Sequence, residues 1–176
     1  MNREIINNLL DIKESYELTG TLFELLNNQE KREETFEKFL TCSPDLTFDW
    51  FVDYFQEEQG DRKSLKQDFT PNCLCELLEE LEDDYETFAD ICAGTGGLTI
   101  HAWNKRPEAF YHCEELSERA IAILLFNMAI RNMNGEIICG DVLSGEKSRI
   151  YSLQRGGSSA ISQFQNMKQG ISMMCV

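Results

Sequence analysis

Apolar side chains in the first 58 residues recur at the spacing of α-helices. The first run consists of Ile5, Leu9, Ile12 and Tyr16. The second run consists of Phe36, Phe39 and Leu40, and it precedes a break at residues 43–45 (SPD). In the next segment, LTFDWFVDYF, an apolar stripe is formed by Phe48, Phe51, Val52 and Phe55. We interpret this stripe as a helix-packing face rather than a ligand groove. The polar run at residues 56–67 predicts a linker.

From residue 69 the pattern changes to alternating helices and strands. Pro71 predicts a helix start, and residues 87–92 (TFADIC) predict a buried strand that ends in a glycine turn. Further elements are predicted in this order: a helix from about Gly97, a strand at 109–114, a helix at 117–132, an Asn134-Gly135 turn and a strand at 136–140. This alternation predicts an α/β fold with a parallel sheet, right-handed crossovers and a ligand site at the carboxyl ends of the strands. Beyond residue 143, residues 149–153 (RIYSL) alone resemble a strand.

Composition adds the size of the unit and an uneven distribution of charge. The chain has 176 residues, 42% of them hydrophobic, as expected for one globular domain. Its net charge is −15, and 24 of the 31 acidic residues lie in residues 1–90. Such a chain is expected to repel nucleic acid on its own, because phosphate binding needs clustered Lys and Arg. No signal peptide pattern and no long apolar run is present, so we predict a cytoplasmic protein without a membrane segment.

The seven cysteines and two histidines do not predict a metal site. The cysteines lack paired CxxC spacing, and two histidines cannot complete a usual zinc set. We interpret the cysteines as mostly buried free thiols in a reducing compartment. Cys73 and Cys75 follow a possible helix start, yet the sequence provides no histidine base for a thiolate there.

The sharpest chemical feature is residues 90–97 (DICAGTGG), a strand that enters a glycine turn and a helix. Glycines allow a ligand to approach the backbone, and the helix N-terminus offers free N–H groups. A dinucleotide pattern is disfavoured because Thr99 stands where GxGxxG needs a small residue, and no Walker A lysine follows. Glu115 follows the second strand and Asp141 follows the third. Three strand ends therefore predict one nucleoside-binding site.

Four motifs in order resemble those of the adenine-specific DNA methyltransferases that use S-adenosyl-L-methionine, in particular the modification subunits of type I restriction systems. They are residues 69–71 (FTP), residues 89–97 (ADICAGTGG), Glu115 with Asn127, and residues 140–143 (GDVL). The resemblance covers residues 66–145. It implies a Rossmann-like S-adenosylmethionine-dependent methyltransferase core at residues 67–146, with an acidic helical region at 1–66 and a short irregular tail at 147–176.

The resemblance also implies the cofactor-binding residues. Thr70 and Pro71 would flank the methionine end of the cofactor, and Glu115 would hold the ribose. Asp141 would bind the adenine amine. The loop residues would line the amino-acid and sulfonium portion: Asp90, Ala93, Gly94, Thr95 and Gly96. The chemistry fits, since an ammonium pairs with a carboxylate and a diol needs acceptors.

One motif of that family is absent from this sequence. The family transfers the methyl group with an Asn/Asp-Pro-Pro-Tyr/Phe motif that holds the flipped adenine. Here the prolines are Pro44, Pro71 and Pro107, none adjacent to another, so we assign no catalytic residue. DNA contact is expected through a partner subunit.

The missing motif also bears on the sheet. The first strand is central in that family, so we expect an open apolar edge at TFADIC. The tail, a second copy of the chain or a separate subunit are the alternatives for covering it. The composition of the tail leads us to hypothesise an interrupted reading frame or a trimmed gene.

Three functions stay open at this point. The first is an adenine-specific DNA methyltransferase of a restriction-modification system, incomplete or inactive alone. The second is a non-enzymatic cofactor-binding module or decoy subunit of a methyltransferase or restriction complex. The third is an RNA or protein methyltransferase.

Overall fold

The computed structural model describes residues 1–58, 70–81, 84–156 and 173–174. Most of the predicted linker at 56–67 and the phenylalanine of the FTP motif lie outside the described residues. The helices are α1 (Arg3–Leu10), α2 (Leu18–Asn27), α3 (Gln29–Cys42), α4 (Val52–Glu58), α5 (Asn72–Leu81), α6 (Gly97–Lys105) and α7 (Glu118–Ile130), with a 3-10 turn at Ser15–Glu17. The strands are β1 (Thr87–Asp90), β2 (Phe110–Glu115), β3 (Asn134–Asp141), β4 (Glu146–Leu153) and β5 (Met173–Met174).

The strands form one sheet in the order β1-β2-β3-β4-β5. The first three strands are parallel, β4 is antiparallel to β3, and β5 is antiparallel to β4. The predicted α/β fold with a parallel sheet is confirmed, and the strand predicted at 149–153 begins earlier, at Glu146. The Asn134-Gly135 turn prediction is wrong, because both residues open β3. A Cβ added at Gly135 would lie 2.1 Å from the carbonyl oxygen of Tyr111, so this glycine permits close strand pairing.

The sheet is covered on one face by the described helices. Because β1, β2 and β3 follow one another in a single direction, right-handed crossovers bring α6 and α7 to the same side. On β2, side chains that face the helices are buried and the alternate ones are half-buried. The prediction of a buried strand at TFADIC is therefore wrong in part: Phe88 and Asp90 are buried, whereas Thr87 and Ala89 are exposed. Among the described strands, β1 pairs with β2 alone and is an edge strand.

The N-terminal helices pack on α7 and share its core. The ring centroid of Phe126 on α7 lies 5.1 Å from that of Phe36, 4.9 Å from that of Phe39 and 5.3 Å from that of Phe51. These aromatic pairs join residues far apart in sequence into one apolar cluster. The helical region and the sheet are thus continuous through their side chains.

Three residues of the predicted N-terminal stripes are not part of the buried helix faces: Tyr16, Ile5 and Phe48. Helix α1 ends at Leu10 with Asp11 in the left-handed conformation, so the helical spacing does not continue to Tyr16, which is 77% exposed. The buried face of α1 carries Ile6 and Leu10 instead of Ile5. In the third segment Phe51 and Phe55 are buried as predicted, but Phe48 is exposed.

The cysteines are divided between the interior and the surface. Those at positions 75, 113 and 139 are buried, whereas Cys42, Cys73 and Cys92 are exposed. The prediction of mostly buried thiols therefore holds for half of the described cysteines; Cys175 lies outside them. In the part of the chain that the structure describes, every helix is too short or too polar to cross a membrane.

Candidate functional site

A cavity of about 230 Å³ lies at the carboxyl end of β1. Four of the residues predicted for the site line it: Thr70, Asp90, Ala93 and Gly94. The cavity is therefore built where a parallel α/β sheet is expected to bind its ligand, beyond the end of a strand and beside the first turn of the following helix.

The glycine loop, residues 92–97, connects β1 to α6. Gly94 has φ +57° and Gly96 has φ +97°, values that L-residues with side chains rarely adopt. The N–H of Gly96 donates to the carbonyl oxygen of Ala93 at 2.8 Å, which closes a tight turn. Helix α6 begins at Gly97, and Gly97 and Leu98 line the cavity, so the first turn of the helix, with its free N–H groups, lies beside it.

Asp90 is a buried carboxylate in the lining of this cavity. It is 8% exposed, and its Oδ2 accepts a hydrogen bond from Thr99 Oγ1 at 2.8 Å. Burial raises the pKa of Asp90 above its usual value, while hydrogen bonds from Thr99 and from the backbone of Cys92 act in the opposite direction. An ionised Asp90 is thus short of compensating charge, which favours a cationic ligand group beside it.

Glu115 holds the glycine loop from the end of β2. Its Oε2 accepts from Gly94 N–H at 2.9 Å, and its Oε1 accepts from Leu116 N–H at 2.9 Å and from Ser117 N–H at 2.7 Å. A carboxylate offers about four lone-pair sites, so one of them is left for a further donor. The predicted ribose-binding residue therefore also links the loop to the start of α7.

Asp141 lies apart from the cavity lining. The strand register places Asp90 level with Cys113 and Ile137, and Asp141 follows further along β3. Its Oδ1 accepts from Leu143 N–H at 2.9 Å within the turn that leads into β4. The structure brings the predicted residues of β1 and of the loop together. Asp141 lies at the carboxyl end of β3, outside the cavity lining.

The remaining predicted residues support the site without lining the cavity. Pro71 is exposed, and its carbonyl oxygen accepts from Leu74 and Cys75 at the start of α5. Thr95 is fully buried with its hydroxyl turned toward the N-terminal region, and Gly96 packs near Leu124.

Sequence reasoning missed the contribution of the N-terminal region. Phe48, Asp49 and Val52 line the cavity, as does His101 of α6. The apolar spacing of this segment predicts helix packing, and periodicity alone does not indicate which side of a helix faces a cavity. The 41% exposure of Phe48, an aromatic residue in an apolar run, is the observation that separates it from the core.

A buried polar cluster joins this region to the glycine loop and to helix α7. Asp49 accepts from Thr95 Oγ1 at 2.5 Å and from Asn127 Nδ2 at 2.9 Å. Arg131 donates to the carbonyl oxygens of Leu46 and Phe48, at 2.9 Å and 2.7 Å. Burial lowers the pKa of Arg131 to about 10, which leaves the guanidinium charged at neutral pH, and the nearby Asp49 helps to keep it so.

No metal centre is evident in the described part of the chain. Among those residues, no three His, Cys, Asp or Glu side chains are arranged to hold an ion. Burial also raises the pKa of the Cys113 thiol to about 12, so this cysteine near Asp90 is not a thiolate at neutral pH.

Comparison with known proteins assigns the family. The model of the N-6 DNA Methylase family matches residues 46–162, about two thirds of the chain. This match starts earlier than the resemblance seen in the sequence motifs, and it includes Asp49 and the wall of the cavity around it. No curated protein and no solved structure matches the chain. The chain belongs to the N-6 DNA methylase family of adenine-specific DNA methyltransferases.

Proposed function

We propose that this chain binds S-adenosyl-L-methionine in the cavity at the end of β1. The observation that carries the proposal is the buried carboxylate of Asp90 beside the glycine loop. The cofactor carries an ammonium and a sulfonium, and when bound it supplies the methyl group for transfer. A cation beside Asp90 would offset the desolvation of the carboxylate and would favour its ionised form.

The size of the cavity supports binding of one end of the cofactor there. At about 230 Å³ it is smaller than the roughly 300 Å³ that encloses a small drug-like molecule. We assign the methionine end to this cavity, with Thr70 and Pro71 at its border and with Asp90, Ala93 and Gly94 along its floor. Thr95 and Gly96 maintain the shape of the loop.

In this proposal the nucleoside end of the cofactor lies outside the cavity, next to Glu115 and Asp141. Glu115 has one lone-pair site left for a ribose hydroxyl, and it can offer more by releasing a backbone N–H. Asp141 is the acceptor proposed for the adenine amine. Its bond to Leu143 N–H orients one oxygen of the carboxylate and leaves the other for a ligand.

We propose that methylation of DNA adenine by this chain requires a partner subunit, as in a restriction-modification system. Two observations support this. The sequence lacks the Asn/Asp-Pro-Pro-Tyr/Phe motif, and β1 is an edge strand among the described strands. A partner or a second copy that pairs with β1 would cover this edge and would bring further residues next to Asp90.

A methyl-transfer assay tests the proposed activity and separates the alternatives. Purified chain is incubated with S-adenosyl-L-methionine labelled in the methyl group and with unmethylated DNA. We expect cofactor-dependent thermal stabilisation together with little or no label in DNA. Efficient labelling of DNA by the chain alone would contradict the need for a partner. Labelling of RNA or of protein would favour the third function over the first.

The decoy function makes a different prediction in the same assay. A non-enzymatic module bound to a methyltransferase complex would retain cofactor stabilisation, but its addition would leave unchanged or reduce methylation by the complex. A partner-dependent enzyme would increase methylation. The two are therefore distinguished by the direction of the change when the chain is added.

A further inference from the structure

Thr95 is a residue of the glycine loop that buried hydrogen bonds hold in place. It lies between two glycines with positive φ, and its side chain is fully buried. Nothing lies within 4 Å of a Cβ built on Gly94, so local packing does not restrict that residue. Because glycine gives a loop many accessible conformations, the shape of this loop depends on the bonds made by its neighbours.

Two buried side chains hold Thr95 from different parts of the chain. Its hydroxyl donates to Asp49 Oδ2 at 2.5 Å, and its carbonyl oxygen accepts from Asn127 Nδ2 at 2.9 Å. The same Asn127 amide group donates to Asp49 Oδ1 at 2.9 Å, so hydrogen bonds connect all three residues to one another. All three residues are at most 7% exposed, so the bonds act in a low-dielectric interior.

Arg131 anchors this group of residues next to Asp49. Its guanidinium donates to Asn127 Oδ1 at 3.0 Å and to the carbonyl oxygen of Phe48 at 2.7 Å, and it lies over the Trp50 ring at 5.5 Å. The Phe51 N–H also donates to Asp49 Oδ1 at 2.8 Å. Protein groups on three sides therefore hold the Asp49 carboxylate, and Thr95 bonds to it in that position.

We infer that Asp49 is a positioning residue for the proposed cofactor site: through Thr95 it sets the conformation of the glycine loop. This rests on the proposed function. The segment that carries Asp49 lies outside the four motifs, yet it forms part of the cavity wall. The N-terminal region thus contributes to the geometry of the cofactor site as well as to the core.

The test compares Thr95→Val, which removes the hydroxyl, with Thr95→Ser, which keeps it. Affinity for S-adenosyl-L-methionine is measured by calorimetry, and amide hydrogen exchange reports on residues 93–97 in the free protein. We expect Thr95→Val to bind about tenfold more weakly or worse, since a hydrogen bond to a charged group is lost, and Thr95→Ser to stay near wild type. Loop amides should exchange faster in Thr95→Val alone.

Two controls separate positioning from general stability. Leu22→Ala creates a cavity in the buried face of α2 and lowers stability without touching the loop. Asp45→Asn alters an exposed acid of the same N-terminal segment, one that accepts from Thr47. Both are expected to bind the cofactor like wild type below their unfolding temperatures.

The outcomes are distinguishable. If wild type binds the cofactor and Thr95→Val binds equally well, the positioning inference is overturned while the proposed function stands. The inference also fails if Leu22→Ala loses as much affinity as Thr95→Val, because the effect would then follow stability. A folded wild type that binds no cofactor overturns the proposed function and this inference with it.

Discussion

The Oε2 atom of Glu115 accepts a hydrogen bond from the N–H of Gly94 at 2.9 Å, so the end of β2 holds the loop that follows β1. These two residues are 21 positions apart and lie on neighbouring parallel strands and their connections. Glu115 therefore holds the loop at Gly94. Asp49 and Asn127 hold it at Thr95.

Glu115→Gln tests the hydrogen bonds that Glu115 accepts from the backbone. An amide group has one acceptor oxygen, so at least one of the three backbone N–H groups would face an NH₂ donor. We expect a loss of about 1–3 kcal/mol in the free energy of unfolding, the usual cost of an unsatisfied buried polar group. Urea unfolding followed by circular dichroism measures it.

The matched control is Glu146→Gln, because Glu146 is an exposed carboxylate on β4. Its substitution should change stability by less than about 0.5 kcal/mol, as is usual for surface sites. If the two substitutions lower the free energy of unfolding equally, Glu115 does not hold the loop as described.

Gly96→Ala tests the backbone conformation of the loop. The alanine would have to adopt φ +97°, and its Cβ would lie 2.7 Å from Leu124 Cδ1. We expect a loss of roughly 1–2 kcal/mol or more, the cost of a left-handed conformation for a residue with a side chain. Thermal unfolding monitored by calorimetry is the measurement.

Gly97→Ala is the control for this prediction. Gly97 opens α6, and a Cβ there would meet no atom within 4 Å. Alanine should be neutral or stabilising at this position, because it favours the helix. A Gly97→Ala variant as unstable as Gly96→Ala would argue against the described loop conformation.

Asp90→Asn should separate stability from cofactor binding. Because burial raises the pKa of Asp90, its contribution to stability is complete below the usual value of 3.8 and is lost as pH rises through the pKa of the folded state. At neutral pH the variant should therefore be at least as stable as wild type, with an advantage that grows as pH rises from 3.8 through the folded-state pKa of Asp90. Its affinity for the cofactor should fall at least tenfold, since the charged partner of the ammonium is removed.

Urea unfolding of the two proteins across this pH range measures the stability difference. A difference that stays constant with pH would contradict a raised pKa at Asp90. Unchanged cofactor affinity in the variant would contradict the pairing of this carboxylate with the cofactor.

A second pH-dependent prediction concerns His112, a half-buried residue of β2. Burial lowers the pKa of His112, but its ring nitrogens bond to the carboxylates of Glu114 at 3.0 Å and Glu136 at 2.8 Å, and these contacts with the charged ring raise the pKa overall. The stability it provides should be complete below 6.5 and should be lost as pH rises through the folded-state pKa. Nuclear magnetic resonance titration of the ring protons measures the midpoint directly.

His112→Gln should remove this part of the pH dependence of unfolding. Glu136→Gln should lower the His112 midpoint, because one of the two carboxylates is neutralised. Parallel stability curves for wild type and His112→Gln between pH 6 and pH 8 would show that the ring does not titrate in the expected way.

The elements that could be predicted from sequence are those with local causes. The glycine loop needs positive φ at Gly94 and Gly96, and strand-helix alternation gives the parallel order of β1, β2 and β3. The faces of the elements could not be predicted as well. Ile5 and Ile6 are adjacent and equally apolar, and tertiary packing decides that Ile6 is buried.

The site divides in the same manner. Asp90 and Gly94 belong to the strand and glycine turn that carry the family resemblance, and both line the cavity. Asp49 lies 46 positions from Thr95 and 78 from Asn127, so its hydrogen bonds depend on the folding of separate regions onto one another. The sequence pattern contains no local signal for such a cluster. Nothing in the sequence distinguishes Asp49 from the other acidic residues of the N-terminal half.

Calorimetric titration of the folded chain with S-adenosyl-L-methionine tests the central claim, that the cavity beside Asp90 and the glycine loop is a cofactor site. We predict saturable heat with one site per chain, together with at least tenfold weaker binding by Asp90→Asn. The absence of both heat and thermal stabilisation in a cooperatively folded wild type would contradict the claim.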